Sequence, residues 1–208
     1  MCSNCYNLYI VYYIYMKIVV SRFNESVEWT KQFDNVIIYN KGDAITHNSI
    51  QLDNVGREGH TFYKYIYDNY HNLDDLTVFL QANPFDHCPN VIQQIQSLTD
   101  DVDFMFLSDK IYDITVSYCY LHHGIPLYDI YRQLFKDDFI HTPIQFGAGG
   151  QFVVSKKLIL SQPRSLYLQI INLLDKSSNP IEGYVIERFH RIILDKEYKQ
   201  KQELTSSS

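Results

Sequence analysis

Apolar residues along the first half of the chain alternate between short runs and helical spacings. Four apolar runs predict β-strands: 17–20, 36–39, 50–52 and 77–80. Helical spacing predicts a short helix at 27–33 and a longer helix after the sequence NVGREG, with Phe62, Tyr65, Ile66 and Tyr70 on its apolar side. Strands that alternate with helices favour a three-layer α/β sandwich with a mainly parallel central sheet.

The second half of the chain is less regular. We predict a buried strand at 104–107 and helices at four segments: 91–98, 127–135, 166–174 and 181–194. Segment 114–121 fits either a strand or a helix, and the glycine-rich sequence FGAGGQFVVS predicts a hairpin or loop. We expect residues 195–208, which are charged and then serine-rich, to form a frayed polar tail.

Residues 1–16 contain an apolar and aromatic run of uncertain role. A signal peptide fits poorly, because no basic region precedes the run and no small-residue cleavage site follows it. Lys17 also ends the run before it reaches the roughly 18 to 20 residues of a membrane span. We treat 1–16 as an N-terminal extension. Residues 1–15 are either a stretch upstream of the natural start at Met16, an extra strand or an interfacial anchor.

Composition limits the classes of function. A chain of 208 residues, 46% of them hydrophobic, can bury one sizeable core, so we expect one domain. A net charge of −6 argues against nucleic acid as a partner, because that binding needs a basic surface. Four scattered cysteines (Cys2, Cys5, Cys88 and Cys119) favour a reducing compartment, and we expect the cytoplasm, or a host cytoplasm or virion for a viral source.

Polar side chains follow the predicted strand 77–80 directly. Gln81, Asn83, Asp86 and His87 lie at and just beyond its C-terminal end, which is where open α/β sheets bind their ligands. Burying such groups is costly unless a polar partner meets them. The segment is therefore a candidate site.

The sequence NVGREG is a candidate phosphate-binding turn. Gly56 and Gly59 lie near a helix N-terminus, where free N–H groups and the helix dipole favour an anion, and Arg57 could add a bidentate contact. The alternative is a glycine turn in which Arg57 pairs with Glu58 or Asp53. The spacing matches neither the Walker nor the Rossmann pattern.

The helix at 181–194 carries a third group of candidates. Four of its apolar residues recur at helical spacing and are expected to face the core: Val185, Phe189, Ile192 and Ile193. Glu187, His190 and Arg191 would then lie on another face. The simpler interpretation is an i to i+4 surface pair between Glu187 and Arg191.

These segments together resemble a known family. The sequences are SRFNE, YNKGD, NVGREGHTF, FLQANPFDH, GAGGQFVVS and YVIERFH. In this order they look like an uncharacterised glycosyltransferase-like family of fungi, other eukaryotes and giant viruses, over about residues 17–194. The motif order is more distantly similar to inverting GT-A glycosyltransferases, which use nucleotide-sugar donors.

The resemblance implies a GT-A-like (Rossmann-like) domain that moves a sugar from a nucleotide diphosphate, with a UDP-sugar favoured, to an acceptor hydroxyl. It assigns nucleotide and phosphate binding to Arg22, Asn24, Glu25, Asp43, Gly56, Arg57 and Gly59. It assigns sugar binding to Gln81, Asn83, Gly149, Gly150 and Gln151. Glu187 would be the base that deprotonates the acceptor, and Asp86, His87 and His190 would hold a divalent cation, Mn²⁺ or Mg²⁺.

The sequence departs from the GT-A pattern at one point. Gln81 and Asn83 occupy the positions where GT-A enzymes commonly carry a metal-binding Asp-x-Asp, so a standard metal site there is in doubt. The Asp-x-Asp at 101–103 precedes a strand and is interpreted as a solvated turn on the opposite sheet edge. Two other classes stay open: a nucleotide-sugar binding module without turnover, and a metal-dependent hydrolase at Asp86 and His87 with a further histidine (His122, His123 or His141).

Overall fold

The structure is a computed structural model that describes residues 15–45, 49–138 and 142–206. Its strands are β1 (Met16–Arg22), β2 (Val36–Asn40), β3 (Ser49–Gln51), β4 (Leu76–Gln81), β5 (Phe104–Phe106), β6 (Ile111–Thr115), β7 (Pro143–Gly147) and β8 (Phe152–Ser155). Its α-helices are α1 (Arg57–Asn69), α2 (Val91–Gln96), α3 (Leu127–Phe135), α4 (Lys156–Leu160), α5 (Arg164–Leu174), α6 (Ile181–Leu194) and α7 (Lys196–Ser206). Short 3₁₀ helices cover Glu28–Gln32 and Pro84–Asp86.

A six-stranded sheet in the order β3-β2-β1-β4-β8-β5 organises the molecule. The first four of these strands are parallel, and β8 runs antiparallel to both β4 and β5. Strands β6 and β7 form a separate antiparallel pair. The prediction of an α/β fold with a mainly parallel central sheet is confirmed.

Both faces of the central sheet are buried. Val19 and Phe79 face a core that includes residues of α1, α5 and α6. Their neighbours Ile18 and Val78 point to the opposite face, where residues of α2 and of the segment before the first 3₁₀ helix cover them. Strands such as β4 are buried along almost their whole length, at 76–80, because they must satisfy both cores.

The structure decides one open prediction and overturns another. Of the two alternatives for the glycine-rich sequence, a hairpin or a loop, the loop forms, because β7 pairs with β6 while β8 pairs with β4 and β5. The expected fraying of the tail is wrong over Lys196–Ser206, which forms α7. The guanidinium of Arg191 lies 4.0 Å from the ring centre of Tyr198, and Lys199 Nζ lies 2.9 Å from Asp137 Oδ2. These tertiary contacts stabilise a helix whose own sequence is polar.

The N-terminal run lies mostly outside the described residues. Cys2, Cys5 and the rest of residues 1–14 fall there, whereas Met16 begins β1. None of the helices in the described ranges combines the length and the apolar character that a bilayer crossing requires.

Candidate functional site

A pocket opens at the carboxyl ends of β1 and β4, and we call it the main pocket because it lies at the ligand-binding edge of the sheet. The chain leaves β1 towards β2 and β3 on one side, while β4 pairs with β1 on the other side. Such a reversal of strand order creates the crevice in which open α/β sheets bind ligands. The pocket has a volume of about 360 Å³ and is lined by Ser21, Arg22, Phe23, Glu25, Lys41, Asn54, Arg57, Glu58, Gln81, Ala82, Asn83 and Asp86.

The N-terminus of α1 forms one wall of this pocket in an unusual backbone conformation. Gly56 and Arg57 both have positive φ angles, of 63° and 52°. Positive φ is easy for glycine but strained for arginine. Lys41 stabilises the turn, because its ammonium group donates to the carbonyl of Val55 at 2.5 Å and to the carbonyl of Arg57.

Lys41 is largely buried at the end of β2, and it also lines the pocket. Burial lowers the pKa of Lys41 to about 8, while the nearby Glu58 carboxylate opposes that shift. A cation that is poorly solvated and fixed by two carbonyls is well placed to meet an anionic ligand.

The side chain of Arg57 is held by several neighbours. Its guanidinium lies 4.2 Å from the ring centre of Tyr184, and its Nε lies 3.6 Å from Glu58 Oε2. Burial opposes its charge, but Glu58 and Glu187 raise the pKa of Arg57 above its ordinary value. The predicted alternative, an Arg57 to Glu58 pair, does form, and Arg57 lines the pocket at the same time.

Glu187 lies on α6 with 12% of its side chain exposed, and it is not one of the residues that line the pocket. Its Oε1 accepts a hydrogen bond from the backbone N–H of Gly149 at 3.0 Å, and its Oε2 lies 3.3 Å from Arg188 Nη1. Burial and then the charge of Glu58 raise the pKa of Glu187. The alternative of a surface pair with Arg191 is wrong, because Arg191 donates to Gln145 Oε1 at 3.1 Å.

His190 is buried, so its predicted position on a face away from the core is wrong. Only 1% of it is exposed, and its Nδ1 lies 2.9 Å from the hydroxyl of Tyr63. Its Nε2 is buried without a hydrogen-bond partner among the described residues. That nitrogen lies 3.3 Å from where a Cβ on Gly150 would be, and Glu58 Oε1 lies 3.5 Å from the same point. Burial lowers the pKa of His190 to about 3, so the imidazole is neutral.

Four residues predicted to bind the nucleotide brace the loops after β1 and β2. Arg22 is buried and donates to Asn40 Oδ1 at 2.5 Å and to three carbonyls, those of Phe23, Glu25 and Asp43. Glu25 Oε2 accepts from the N–H groups of Phe23 and Asn24, and Asn24 Oδ1 accepts from the N–H of Asp43. Arg22 and Glu25 also line the pocket. Gly59 lies deeper in α1 and packs against Leu174.

The residues after β4 form the opposite wall. Gln81 Nε2 donates to the carbonyl of Gly149 at 2.9 Å, and Asn83 Nδ2 donates to Asp86 Oδ2 at 2.9 Å. Gln151 is fully buried and connects this wall to its neighbours. Its Nε2 donates to the carbonyl of Pro84 at 3.1 Å, and its Oε1 accepts from the N–H of Gln81 at 3.2 Å. Gln151 therefore positions Gln81 and does not face the pocket.

The three residues predicted to hold a cation lie in different environments. Asp86 lines the pocket, His190 is buried against Tyr63, and the ring of His87 packs against Gly149. Across the described ranges, no group of three or more His, Cys, Asp or Glu side chains is arranged to hold a metal ion. The interpretation of 101–103 as a solvated turn is supported, because Asp101 and Asp103 are exposed. Asp103 also accepts from Ser155 Oγ at 2.9 Å and from Lys157 Nζ at 3.1 Å.

Sequence reasoning missed two pocket residues that carry charge. Lys41 is not among the predicted site residues, although a cation at the carboxyl end of a parallel strand is a usable signal. Glu58 is predicted only as a partner for Arg57. Of the histidines named for a hydrolase, His122 packs its ring 4.5 Å from that of Tyr184, and His141 lies outside the described residues.

Comparisons with known proteins identify a family but no function. The model of one protein family, described as "Protein of unknown function (DUF3431)", matches residues 18–113 and 120–207. No curated protein and no solved structure matches the chain. Because the two matched segments cover most of the sequence and include the whole pocket, the chain belongs to the DUF3431 family.

Proposed function

We propose that the protein is a glycosyltransferase that moves a sugar from a nucleoside diphosphate donor, with a UDP-sugar favoured, to an acceptor hydroxyl in a GT-A-like fold. One observation carries the proposal. Two cations, Lys41 and Arg57, meet at the N-terminus of α1 in the crevice between β1 and β4, directly beside the carboxylates of Glu58 and Glu187. Diphosphate binding and proton transfer need these two kinds of group side by side.

The diphosphate would lie against the start of α1. The first-turn N–H groups of a helix have no intrahelical partner and favour an anion, and the guanidinium of Arg57 can donate two parallel hydrogen bonds to phosphate. Lys41 fixes the Val55–Arg57 backbone and adds a second positive charge. The whole chain has a net charge of −6 and would repel an anion. The attraction for an anionic ligand therefore comes from this local pair of cations.

The carboxylates would supply the proton chemistry. Glu187 accepts the proton of the acceptor hydroxyl, whose oxygen bonds to the anomeric carbon as the bond from that carbon to the diphosphate breaks. The departing diphosphate keeps the electron pair, and Lys41 and Arg57 stabilise its charge. The raised pKa of Glu187 suits a general base that works near neutral pH. Gly149 holds this carboxylate through its backbone N–H, and the charge of Glu58, which lines the pocket, contributes to its raised pKa.

A divalent cation fits the pocket only in part. Asp86 and Glu58 offer carboxylate oxygens to the pocket, which Mn²⁺ and Mg²⁺ prefer, whereas Gln81 and Asn83 are neutral amides. A bound cation would supply further charge neutralisation at the diphosphate.

Release of nucleoside diphosphate from a panel of nucleotide sugars tests the proposal, with and without Mn²⁺ or Mg²⁺. We expect one donor to be turned over and Glu187→Gln to lower the rate of release by about 10²–10⁴. Tight binding of a donor without release would instead support a non-catalytic binding module. If a transition metal alone raised the thermal stability of the protein, and no nucleotide bound or was turned over, the hydrolase alternative would be supported.

A further inference from the structure

A second groove adjoins the main pocket and is lined by different chemistry. Its volume is about 410 Å³, and it is lined by Glu25, Ser26, Trp29, Ala82, Asn83 and Phe85. Three of these residues, Glu25, Ala82 and Asn83, also line the main pocket, so the two cavities lie side by side. We infer that this groove binds the sugar ring of a carbohydrate acceptor. The inference rests on the proposed function.

The aromatic part of the groove has a fixed orientation. Trp29 is half-buried, and its Nε1 donates to the carbonyl of Ala82 at 2.8 Å. The rings of Phe33 and Phe85 pack against it at 82° and 81°, with centroids 6.4 Å and 6.1 Å away. An aromatic face carries negative charge density and attracts the polarised C–H bonds on one side of a sugar ring. A ring held in one orientation loses little entropy when a ligand binds.

The polar part of the groove presents oxygen atoms of Glu25, Ser26 and Asn83 that can accept hydrogen bonds. Glu25 uses Oε2 to hold the backbone of its own loop, and Asn83 uses Nδ2 to reach Asp86. Within the described part of the chain, Glu25 Oε1 and Asn83 Oδ1 have no hydrogen-bond partner. The residues that line this groove include no Lys or Arg. Hydroxyl groups, which can donate to these oxygens, are therefore better matched to it than phosphate.

The position of the groove agrees with the direction of the proposed transfer. Donor phosphates at Arg57 and an acceptor ring at Trp29 would occupy two adjacent cavities, which meet at Glu25, Ala82 and Asn83. An acceptor hydroxyl could then enter the main pocket from the side of β4.

Trp29 is the sole tryptophan of the chain, so its fluorescence reports directly on this groove. We would titrate the full chain with the methyl glycosides of glucose, galactose and mannose, and separately with UDP and GDP. We expect at least one glycoside to change the Trp29 emission saturably. Phe85→Ala should lower the affinity for that glycoside about fivefold or more, as expected from losing one aromatic contact. Asn83→Leu, at an exposed position, should also lower this affinity.

Phe33→Leu is the matched control, because Phe33 contacts Trp29 but does not line the groove. It should leave glycoside affinity within about twofold of the wild type. No response to any glycoside, or a response to the nucleotides alone, would overturn the inference. Calorimetric binding of nucleoside diphosphates, followed in parallel, tests the donor site independently. If a nucleoside diphosphate binds but no glycoside changes the emission, only the acceptor groove is refuted. If a glycoside changes the emission but no nucleoside diphosphate binds, only the proposed function is refuted.

Discussion

The backbone N–H of Gly149 donates to Glu187 Oε1 at 3.0 Å, which connects the glycine-rich loop to the carboxylate of α6. A larger residue at position 149 could not adopt the loop conformation that makes this contact. Gly149 has a φ of 84°, and a Cβ there would lie 2.3 Å from Cδ2 of His87. The loop therefore needs glycine at this position in order to hold Glu187.

Gly149→Ala should reduce both stability and turnover. Gly124 provides a matched control, because it also has a positive φ, of 81°, but nothing lies within 4 Å of its Cβ position. Gly124→Ala should cost about 1–2 kcal/mol from backbone strain, and Gly149→Ala should cost roughly 1–3 kcal/mol more from the clash. Chemical denaturation measures the difference. Equal losses in the two variants would show that the contact with His87 relaxes freely.

Glu187→Gln should lower turnover by about 10²–10⁴ while donor affinity changes little, because the carboxylate acts as a base. Glu182→Gln, a change on the same helix at a residue paired with Lys176, is the control and should remain active. The pKa of Glu187 is raised, so the wild-type turnover number should fall as the pH drops through that raised pKa and the carboxylate becomes protonated. A pH profile without this acidic limb would exclude Glu187 as the base.

Lys41→Met should weaken nucleoside diphosphate binding by about tenfold or more, because it removes a buried charge and the clamp on the backbone of Arg57. In the wild type, affinity should also decline as the pH rises through about 8, where Lys41 loses its proton. Calorimetry on both sides of that pH measures the effect. Lys64→Met, which removes a partly exposed lysine of α1 that does not line the pocket, should have no influence on either result.

Arg57→Gly and Arg57→Ala should separate backbone strain from ligand binding. Both remove the guanidinium, so both should lose diphosphate affinity. Glycine adopts the φ of 52° without strain, so Arg57→Gly should be more stable than Arg57→Ala by about 1 kcal/mol. Thermal and chemical unfolding compare the two variants. If alanine proves the more stable, the turn must rearrange once the arginine is removed.

Two buried histidines should make the protein sensitive to acid. Burial lowers the pKa of His60 to about 4 and that of His190 to about 3, whereas an unfolded histidine has a pKa of about 6.5. The unfolded chain therefore binds protons first, and the free energy of unfolding should fall as the pH decreases from about 6.5 towards 3. Denaturation at several pH values measures how steeply the free energy of unfolding depends on pH. His190→Gln should reduce this dependence, and His71→Gln, at an exposed position, should leave it unchanged.

Local patterns predicted most of the elements but not the environment of each site residue. The continuous apolar run at 76–80 and the helical spacing of Phe62, Tyr65 and Ile66 encode β4 and α1 directly. The pairing of β8 with β4 and β5 joins segments far apart in sequence, so no local pattern contains it. The burial of His190 likewise depends on Tyr63, which lies 127 positions earlier.

The central claim is that the start of α1 binds a nucleoside diphosphate through Arg57. Isothermal titration calorimetry of UDP, GDP and ADP tests it most directly, with wild type, Arg57→Ala and Arg164→Ala. Arg164 is the matched control, because its guanidinium also stacks on a tyrosine, 4.0 Å from the ring centre of Tyr67, but it does not line the pocket. We predict that one diphosphate binds and that Arg57→Ala alone weakens it, by about tenfold or more. Failure of all three diphosphates to bind, or equal binding by both variants, would contradict the account.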